Sequence, residues 1–208
     1  MKQPLLLSAT ALGVSRETEA RLQDYVTLLL RWNARINLVA ESTLDAVWQR
    51  HILDSLQLLP LLPNLPGSIT DLGSGAGFPG LVLALASGRE THLVESDRRK
   101  CAFLIEAART LGLTRAHIHP HRIEAAGPPP AAVVTARALA PLPVLLSHTL
   151  RLLAPGGVAL FPKGRSVDEE LTAAAPHWTM RVERFPSHTD SAAAILRLSE
   201  IRPAGETP

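Results

Sequence analysis

Residues 68–88 read SITDLGSGAGFPGLVLALASG, and this stretch gives the clearest indication of the fold of the chain. A short apolar run reaches an aspartate, a loop with four glycines follows, and a second apolar run comes next. Glycine-rich loops between a strand and a helix let a ligand approach the backbone closely. The stretch therefore predicts a β-strand, a ligand-binding loop and an α-helix of an α/β fold.

Downstream of this stretch, strand-like runs alternate with helical ones, and this alternation predicts a parallel sheet with helices on both faces. Two strand-like runs at the end, 179–185 and 193–201, predict an antiparallel closure. The expected fold is Rossmann-like, with a mostly parallel seven-stranded sheet and an antiparallel C-terminal strand. The other predicted strands are 68–72, 91–95, 116–119, 131–136 and 157–161, and the predicted helices are 79–86, 98–111 and 142–153.

The sequence before Pro66 has a helical pattern. Leu22, Tyr25 and Leu29 fall on one helical face, and a second predicted helix runs from about Leu44 to Leu59. Prolines 60, 63 and 66 end this region. We therefore predict a helical extension over 1–66, one compact sheet domain over 67–202, and a disordered tail over 203–208.

Composition bounds the class of protein. The 208 residues are 46% hydrophobic and 19% charged with a formal net charge of +2, which indicates a globular chain. The single cysteine, Cys101, excludes an internal disulfide framework. No histidine spacing is typical of a metal site, so we predict that the chain binds no metal. The apolar runs are too short for a membrane span or a secretion signal, and we expect a cytoplasmic protein.

The glycine loop can be aligned with two cofactor patterns. Gly75 to Gly80 matches the dinucleotide fingerprint G-x-G-x-x-G, but this frame buries Asp71 inside the strand, where an unpaired carboxylate is costly. If the strand ends near Asp71, its carboxylate faces the loop and suits the positive groups of S-adenosylmethionine. Glu95, at the tip of the next strand, is placed to accept ribose hydroxyls of either cofactor. S-adenosylmethionine is favoured, and an NAD-dependent oxidoreductase stays the alternative.

Five motifs then carry a resemblance to a known family. In chain order the sequence is similar to the bacterial small-subunit ribosomal RNA guanine-N7 methyltransferases, the glucose-inhibited division protein B family. The resemblance covers about residues 20–165. Its motifs are RWNARINLV (31–39), RHILDSL (50–56), DLGSGAGFPGLVLAL (71–85), LVESDRRKCAFL (93–104) and ARALAPL (136–142).

The resemblance implies an S-adenosylmethionine-dependent methyltransferase that acts on a guanine in a loop of 16S ribosomal RNA. The implied partner is this RNA, free or in the 30S subunit or an assembly intermediate, with no obligate protein partner. Gly75 and Glu95 are cofactor residues by the argument above. The family's cofactor positions fall on Gly73, Phe78, Ile123, Glu124 and Arg137.

Methylation at guanine N7 needs no general base, because this nitrogen carries a lone pair and no proton. The enzyme's task is to hold N7 in line with the methyl carbon and the leaving sulfur. We therefore predict no single indispensable catalytic side chain.

Basic residues cluster where RNA is expected to bind. The segment from Ala125 to Val167 contains no Asp or Glu, and another basic group begins the helix after the second strand. A non-catalytic ribosomal RNA-binding assembly factor would show the same pattern and stays an alternative. The predicted RNA contacts are Arg98, Lys100, Arg137, Lys163 and Arg165.

The motif RHILDSL has two interpretations. His51 and Asp54 share a helical face that contacts the cofactor domain or RNA, or they belong to a buried polar network that docks the extension. We favour the network, and we expect Trp32 and Asn33 to serve packing and helix-end capping.

Overall fold

One seven-stranded sheet organises the chain in the computed structural model, which describes residues 8–206. The strand order is β3-β2-β1-β4-β5-β7-β6, and β7 runs antiparallel to both of its neighbours while the other pairings are parallel. The predicted fold class is therefore confirmed. The strands are β1 (Ile69–Leu72), β2 (Thr91–Val94), β3 (Ala116–His119), β4 (Ala131–Ala136), β5 (Leu153–Lys163), β6 (Trp178–Pro186) and β7 (Ala194–Pro203).

Helices cover both faces of this sheet. Because the strand order reverses between β1 and β4, right-handed crossovers place the helices that precede β2 and β3 on one face and those flanking β5 on the other. A ligand site is expected at this reversal, at the carboxyl ends of the strands. The helices are α1 (Arg16–Asn33), α2 (Asp54–Leu56), α3 (Gly80–Ser87), α4 (Arg98–Thr110), α5 (Leu142–Leu150) and α6 (Val167–Ala174).

Helix α6 was not predicted, although its sequence carries helical signals. Val167, Leu171 and Ala174 recur at helical spacing, and three acidic residues occupy its first turn. The helix supplies Glu170 to the site described below.

The N-terminal extension begins with α1, which Ser15 caps by accepting a hydrogen bond from the Thr18 amide. The predicted second helix is wrong in form: a 3-10 helix over Glu41–Ala46 leads into a wide π-helical segment over Trp48–Leu53 and then α2. The π-helical turn buries three consecutive residues, His51 to Leu53. An α-helix with a single apolar face buries fewer consecutive residues, because neighbouring side chains point in different directions.

One apolar core joins the extension to the sheet domain. Tyr25 and Ile52 of the extension belong to the same buried cluster as Phe78, Leu81 and Phe103 of the sheet domain. The predicted boundary near residue 66 therefore separates two parts of a single packed unit.

At the C-terminal end, Pro203 closes β7, and the Ala204 amide donates to the His177 carbonyl. Residues 207 and 208 of the predicted tail lie outside the described residues, as does the apolar run Leu5 to Leu7. Across residues 8–206, no helix has the length and apolar character that a membrane span requires.

Candidate active site

A cavity of about 850 Å³ opens at the carboxyl edge of the sheet, a volume typical of a small-molecule site. On one side lies the loop after β1 (residues 73–79, the glycine loop), and on another the loop after β4 (residues 137–141, the β4–α5 loop). The other walls come from the extension, the end of β5 and the connection between β6 and β7.

The glycine loop brings its backbone to the cavity wall. Gly73 and Gly75 have φ values of +62° and +54°, which residues with a Cβ rarely adopt. A Cβ on Gly73 would lie 2.5 Å from Leu139 Cδ1 of the β4–α5 loop, whereas a Cβ on Gly75 would meet only the Gly73 carbonyl oxygen at 3.8 Å. The backbone at Gly75 is thus open to a ligand, as the sequence predicts.

Asp71 does not face the cavity, so the predicted contact of its carboxylate with a positive cofactor group is wrong. The carboxylate lies inside β1 at 0% exposure, where it accepts hydrogen bonds from Thr135 Oγ1 (2.8 Å) and from the Gly80 amide (3.3 Å). Burial raises the pKa of Asp71 to about 6. The buried carboxylate is not unpaired: two donors, from β4 and α3, offset the cost of burial, so Asp71 links these elements and does not distinguish between cofactors.

Glu95 links the glycine loop to the end of β2. Its Oε2 accepts from the Gly75 amide at 2.9 Å and its Oε1 from the Asp97 amide at 2.8 Å. Each carboxylate oxygen keeps a second lone pair for a further donor. Its predicted role toward ribose hydroxyls therefore stays compatible with these contacts.

Phe78 and Arg137, both predicted cofactor residues, lie together. The Arg137 guanidinium is 5.1 Å from the centre of the Phe78 ring, and the His51 ring stacks on the same phenyl group at 5.1 Å. Arg137 also pairs with Asp54 at 3.3 Å. Phe78 itself is buried, so it organises the wall of the cavity from behind.

The hydrogen bonds around His51 determine its tautomer. The Thr43 hydroxyl donates to the Ala40 carbonyl at 2.7 Å, so its oxygen accepts from Nε2–H of His51 at 2.9 Å. His51 Nδ1 is then a buried acceptor that has no partner among residues 8–206. Burial, reinforced by Arg137 and Arg50, lowers the pKa of His51 to about 4, and the ring is neutral near pH 7.

Asp54 and Gln57 dock the extension onto the β6–β7 connection. Asp54 Oδ1 accepts from the Thr189 hydroxyl at 2.6 Å, and Gln57 Oε1 accepts from the His188 amide at 2.8 Å. These contacts support the polar-network interpretation of RHILDSL. The same network lines the cavity, so docking and site formation are not separate roles here.

The motif RWNARINLV shapes another wall. Asn33 Oδ1 accepts from the Leu38 and Val39 amides, both at 2.9 Å, and thereby holds the chain after α1 against the cavity. Trp32 packs on Phe103 and donates from Nε1 to Glu106 at 3.2 Å. The packing role expected for Trp32 is confirmed, whereas Asn33 holds the chain beyond the helix and does not cap its end, which Ala34 forms.

The five predicted RNA contacts differ in accessibility. Arg98 and Arg165 are exposed, and Lys100 is half-buried at the cavity. The Arg137 side chain is 19% exposed and already paired with Asp54, so its contact with RNA stays a prediction. Lys163 requires a correction: its side chain is only 8% exposed and pairs with Glu170 at 2.7 Å, which does not suit a phosphate contact. Glu170 belongs to α6, just beyond the acid-free segment, and a charge count along the chain cannot detect such a partner.

Ile123 and Glu124 lie in the connection between β3 and β4, outside the cavity lining. Ile123 packs against the core under α5, and Glu124 is exposed. Arg151 donates to the backbone carbonyls of both residues, at 3.2 and 3.5 Å. Their predicted contact with an adenine stays a prediction.

Several residues of the site were missed at the sequence level. The Tyr25 hydroxyl, buried on an otherwise apolar stripe, donates to the Ala76 carbonyl of the glycine loop. Leu139 is 37% exposed although it is apolar, and it lies over Gly73. Within residues 8–206, no group of three or more His, Cys, Asp or Glu residues is placed to hold a metal ion.

Comparisons with known proteins agree with this architecture. The family model described as rRNA small subunit methyltransferase G (GidB) matches residues 18–194. The ribosomal RNA small subunit methyltransferase G of Rhodospirillum centenum is 59% identical over 195 residues (94% of this chain and 90% of the relative). The protein of the same name from Granulibacter bethesdensis is 54% identical over 208 residues (97% of each chain).

Solved structures show the same fold at low identity. An S-adenosylmethionine-dependent methyltransferase from Aquifex aeolicus superposes with a TM-score of 0.55 at 14% identity, over 74% of this chain and 92% of that one. An O-methyltransferase from Bacillus cereus, solved with S-adenosylhomocysteine, gives a TM-score of 0.56 at 16% identity, over 85% and 91%. At this identity the likeness concerns the fold alone.

Proposed function

The chain belongs to the rRNA small subunit methyltransferase G family, and from this premise we propose that it transfers the methyl group of S-adenosylmethionine to N7 of a guanine in small-subunit ribosomal RNA. The observation that carries the proposal is the cavity at the carboxyl edge of the sheet, where the glycine loop faces the β4–α5 loop. Family membership favours methyl transfer over the oxidoreductase and non-catalytic alternatives.

The residues present fit this cofactor. The glycine loop presents open backbone at Gly75, and Glu95 retains lone pairs beside it for ribose hydroxyls. Gly73, Phe78 and Arg137 complete the proposed cofactor wall, with Ile123 and Glu124 as the proposed adenine contacts. When bound, S-adenosylmethionine supplies a methyl carbon activated by positively charged sulfur.

The ionisable groups around the cavity support a reaction without a general base. The pKa of His51, lowered to about 4, makes its ring a weak proton acceptor near pH 7, and its Nε2–H is engaged by Thr43. Among the described residues that line the cavity, each carboxylate is held in an ion pair: Asp54 with Arg137, Asp190 with Arg50 and Glu170 with Lys163. Guanine N7 has no proton to remove, so orientation of the two reactants is the contribution asked of the protein.

The accessible cations define the proposed RNA side. Lys100 has no ion-pair partner among the described residues, and the exposed Arg98 begins the same helix. Arg165 is exposed beside the end of β5. We assign these three to phosphates of the RNA or of the ribosomal particle that contains it, with a cytoplasmic location.

The decisive test is to map N7-methylguanine in small-subunit RNA from cells with and without the gene. One modified guanine should disappear in the deletion strain and return when the purified chain and S-adenosylmethionine are added to its 30S subunits. An unchanged map would contradict the activity. A calorimetric titration in which NAD binds and S-adenosylmethionine does not would contradict the cofactor.

A further inference from the structure

The β4–α5 loop, residues 137–141, lines the cavity beside the glycine loop, at the reversal of strand order where ligands of such sheets bind. Leu139, 37% exposed, projects from it over Gly73. Under the proposed function, a base that approaches the methyl donor lies next to this loop, and the position of the loop affects its orientation.

The backbone of this loop is strained. Ala138 has a φ of +51°, in the left-handed region that residues with a Cβ rarely adopt. Such a conformation persists only when the surrounding structure holds it in place. Contacts on both sides of Ala138 are therefore needed to maintain the loop.

On the N-terminal side, the extension holds Arg137. The guanidinium pairs with Asp54 and donates to the Arg50 carbonyl at 3.1 Å. This end of the loop depends on the docking network already described.

On the C-terminal side, one buried ion pair holds the loop at two backbone groups. Lys163 Nζ donates to the Ala140 carbonyl at 3.3 Å and to Glu170 Oε2 at 2.7 Å. The same oxygen of Glu170 accepts from the Leu142 amide at 2.8 Å. Lys163 and Glu170 thus bind the chain on either side of Pro141.

We propose that Lys163 and Glu170 are positioning residues for methyl transfer, which hold the β4–α5 loop in the strained conformation that presents the substrate base. Lys163 is only 8% exposed and is neutralised by Glu170, which does not suit a phosphate contact, and the hydrogen bonds of the pair with backbone groups go to the β4–α5 loop and the start of α5. Because Asp54 and the Arg50 carbonyl hold Arg137 independently of this pair, its removal should lower kcat and leave cofactor affinity unchanged. This inference rests on the proposed function.

The test measures transfer from methyl-tritiated S-adenosylmethionine to 30S subunits from a strain that lacks the gene. Glu170→Ala and Lys163→Met should each lower kcat by roughly ten- to hundredfold, since small displacements of reactants have effects of this size. Cofactor affinity, measured by calorimetry, should stay at the wild-type value. Glu170→Gln keeps an acceptor for the Leu142 amide and should retain more of the rate than Glu170→Ala.

The matched control is the exposed ion pair between Asp168 of the same helix and Arg184 of β6. Asp168→Ala should leave kcat within about twofold of wild type, because exposed pairs contribute little. A comparable loss in this control would overturn the proposal and point to α6 as a whole.

Leaving one buried charge unpaired can impair folding, so the double variant Lys163→Met, Glu170→Met is included. It should fold, bind cofactor and lose about as much kcat as either single variant, because the two residues act as one unit. Wild-type kcat in the folded variants would overturn the proposal, as would a parallel loss of cofactor affinity. Absence of transfer by the wild-type chain would instead contradict the proposed function.

Discussion

The two loops that face each other across the cavity are held in different ways. The glycine loop is held mainly by single polar groups: Glu95 accepts from the Gly75 amide, Tyr25 donates to the Ala76 carbonyl, and Ser74 of the loop donates from Oγ to the Asp71 carbonyl of β1. The β4–α5 loop is held by two ion pairs, each with a carboxylate that belongs to neither β4 nor the loop.

This difference shows how the two halves of the site are encoded. The glycine loop requires particular backbone angles, and glycine supplies them wherever the rest of the chain lies. The β4–α5 loop contains no glycine and adopts its left-handed residue at Ala138, so its shape depends on tertiary contacts. The glycine loop is thus locally specified, and the β4–α5 loop is specified by the assembled fold.

The largest effect is expected for the variant Gly73→Asp, which tests whether the glycine loop holds the cofactor. It places a Cβ at a positive φ of +62°, displaces the Leu139 side chain, whose Cδ1 would lie 2.5 Å away, and adds a carboxylate to the wall proposed for the cofactor. Affinity for S-adenosylmethionine should fall by more than about a hundredfold, or ~3 kcal/mol, while the chain stays folded. Calorimetry measures the affinity and circular dichroism the fold.

The matched control is Gly127→Asp, at an exposed glycine where an added Cβ meets nothing within 4 Å. It should bind the cofactor as wild type does. Unchanged affinity in Gly73→Asp would show that the glycine loop does not hold the cofactor.

A second test uses pH to probe Asp71 beneath the glycine loop. Because burial raises the pKa of Asp71 to about 6, the folded state binds this proton more tightly than the unfolded state does. Its contribution to stability should therefore be greatest below about pH 4 and decline as the pH rises toward 6, by on the order of 2–3 kcal/mol.

The measurement is the free energy of unfolding in urea at pH 4, 5, 6 and 7 for wild type and Asp71→Asn. The wild type should lose stability relative to the variant as the pH rises, since Asn cannot titrate. A constant difference across this range would show that Asp71 is ionised in the folded state at every pH tested.

The smallest expected effect is a difference in RNA binding between variants of two lysines that line the cavity, Lys100 and Lys163. Lys100→Gln should weaken binding to small-subunit RNA a few-fold and reduce the slope of log affinity against log salt by about 0.7, the value for one phosphate contact on a single strand. Lys163→Gln should leave this slope unchanged, because its ammonium is paired with Glu170.

Arg109→Gln is the control for Lys100, because this exposed arginine lies near the other end of α4. It should bind RNA as wild type does. An equal reduction of the slope for Lys163 and Lys100 would restore Lys163 as a phosphate contact and remove the contrast between the two lysines.

Much of the fold could be predicted because most of its helices and strands have recognisable patterns within short stretches of sequence. The alternation of short apolar runs with helical segments predicted the parallel sheet, and the glycine loop was placed correctly between β1 and α3. Asn33 was expected to cap a helix end, and its side chain instead accepts from amides five and six residues further along the chain. The wide turn at Trp48–Leu53 was missed because the apolar spacing of this segment also fits an α-helix.

The order of the strands, the position of the glycine loop and the family can be predicted from the sequence, since each depends on residues close together in the chain. The three-dimensional structure was needed to show that Asp71 is buried and hydrogen-bonded. It also showed the ion pairs of Lys163 with Glu170 and of Arg137 with Asp54. The physical reason is that whether a charge is free or neutralised depends on groups within a few ångströms. For Asp71 and Arg137 these partners lie 64 and 83 residues away, and for Lys163 the partner lies on a helix that the sequence analysis missed.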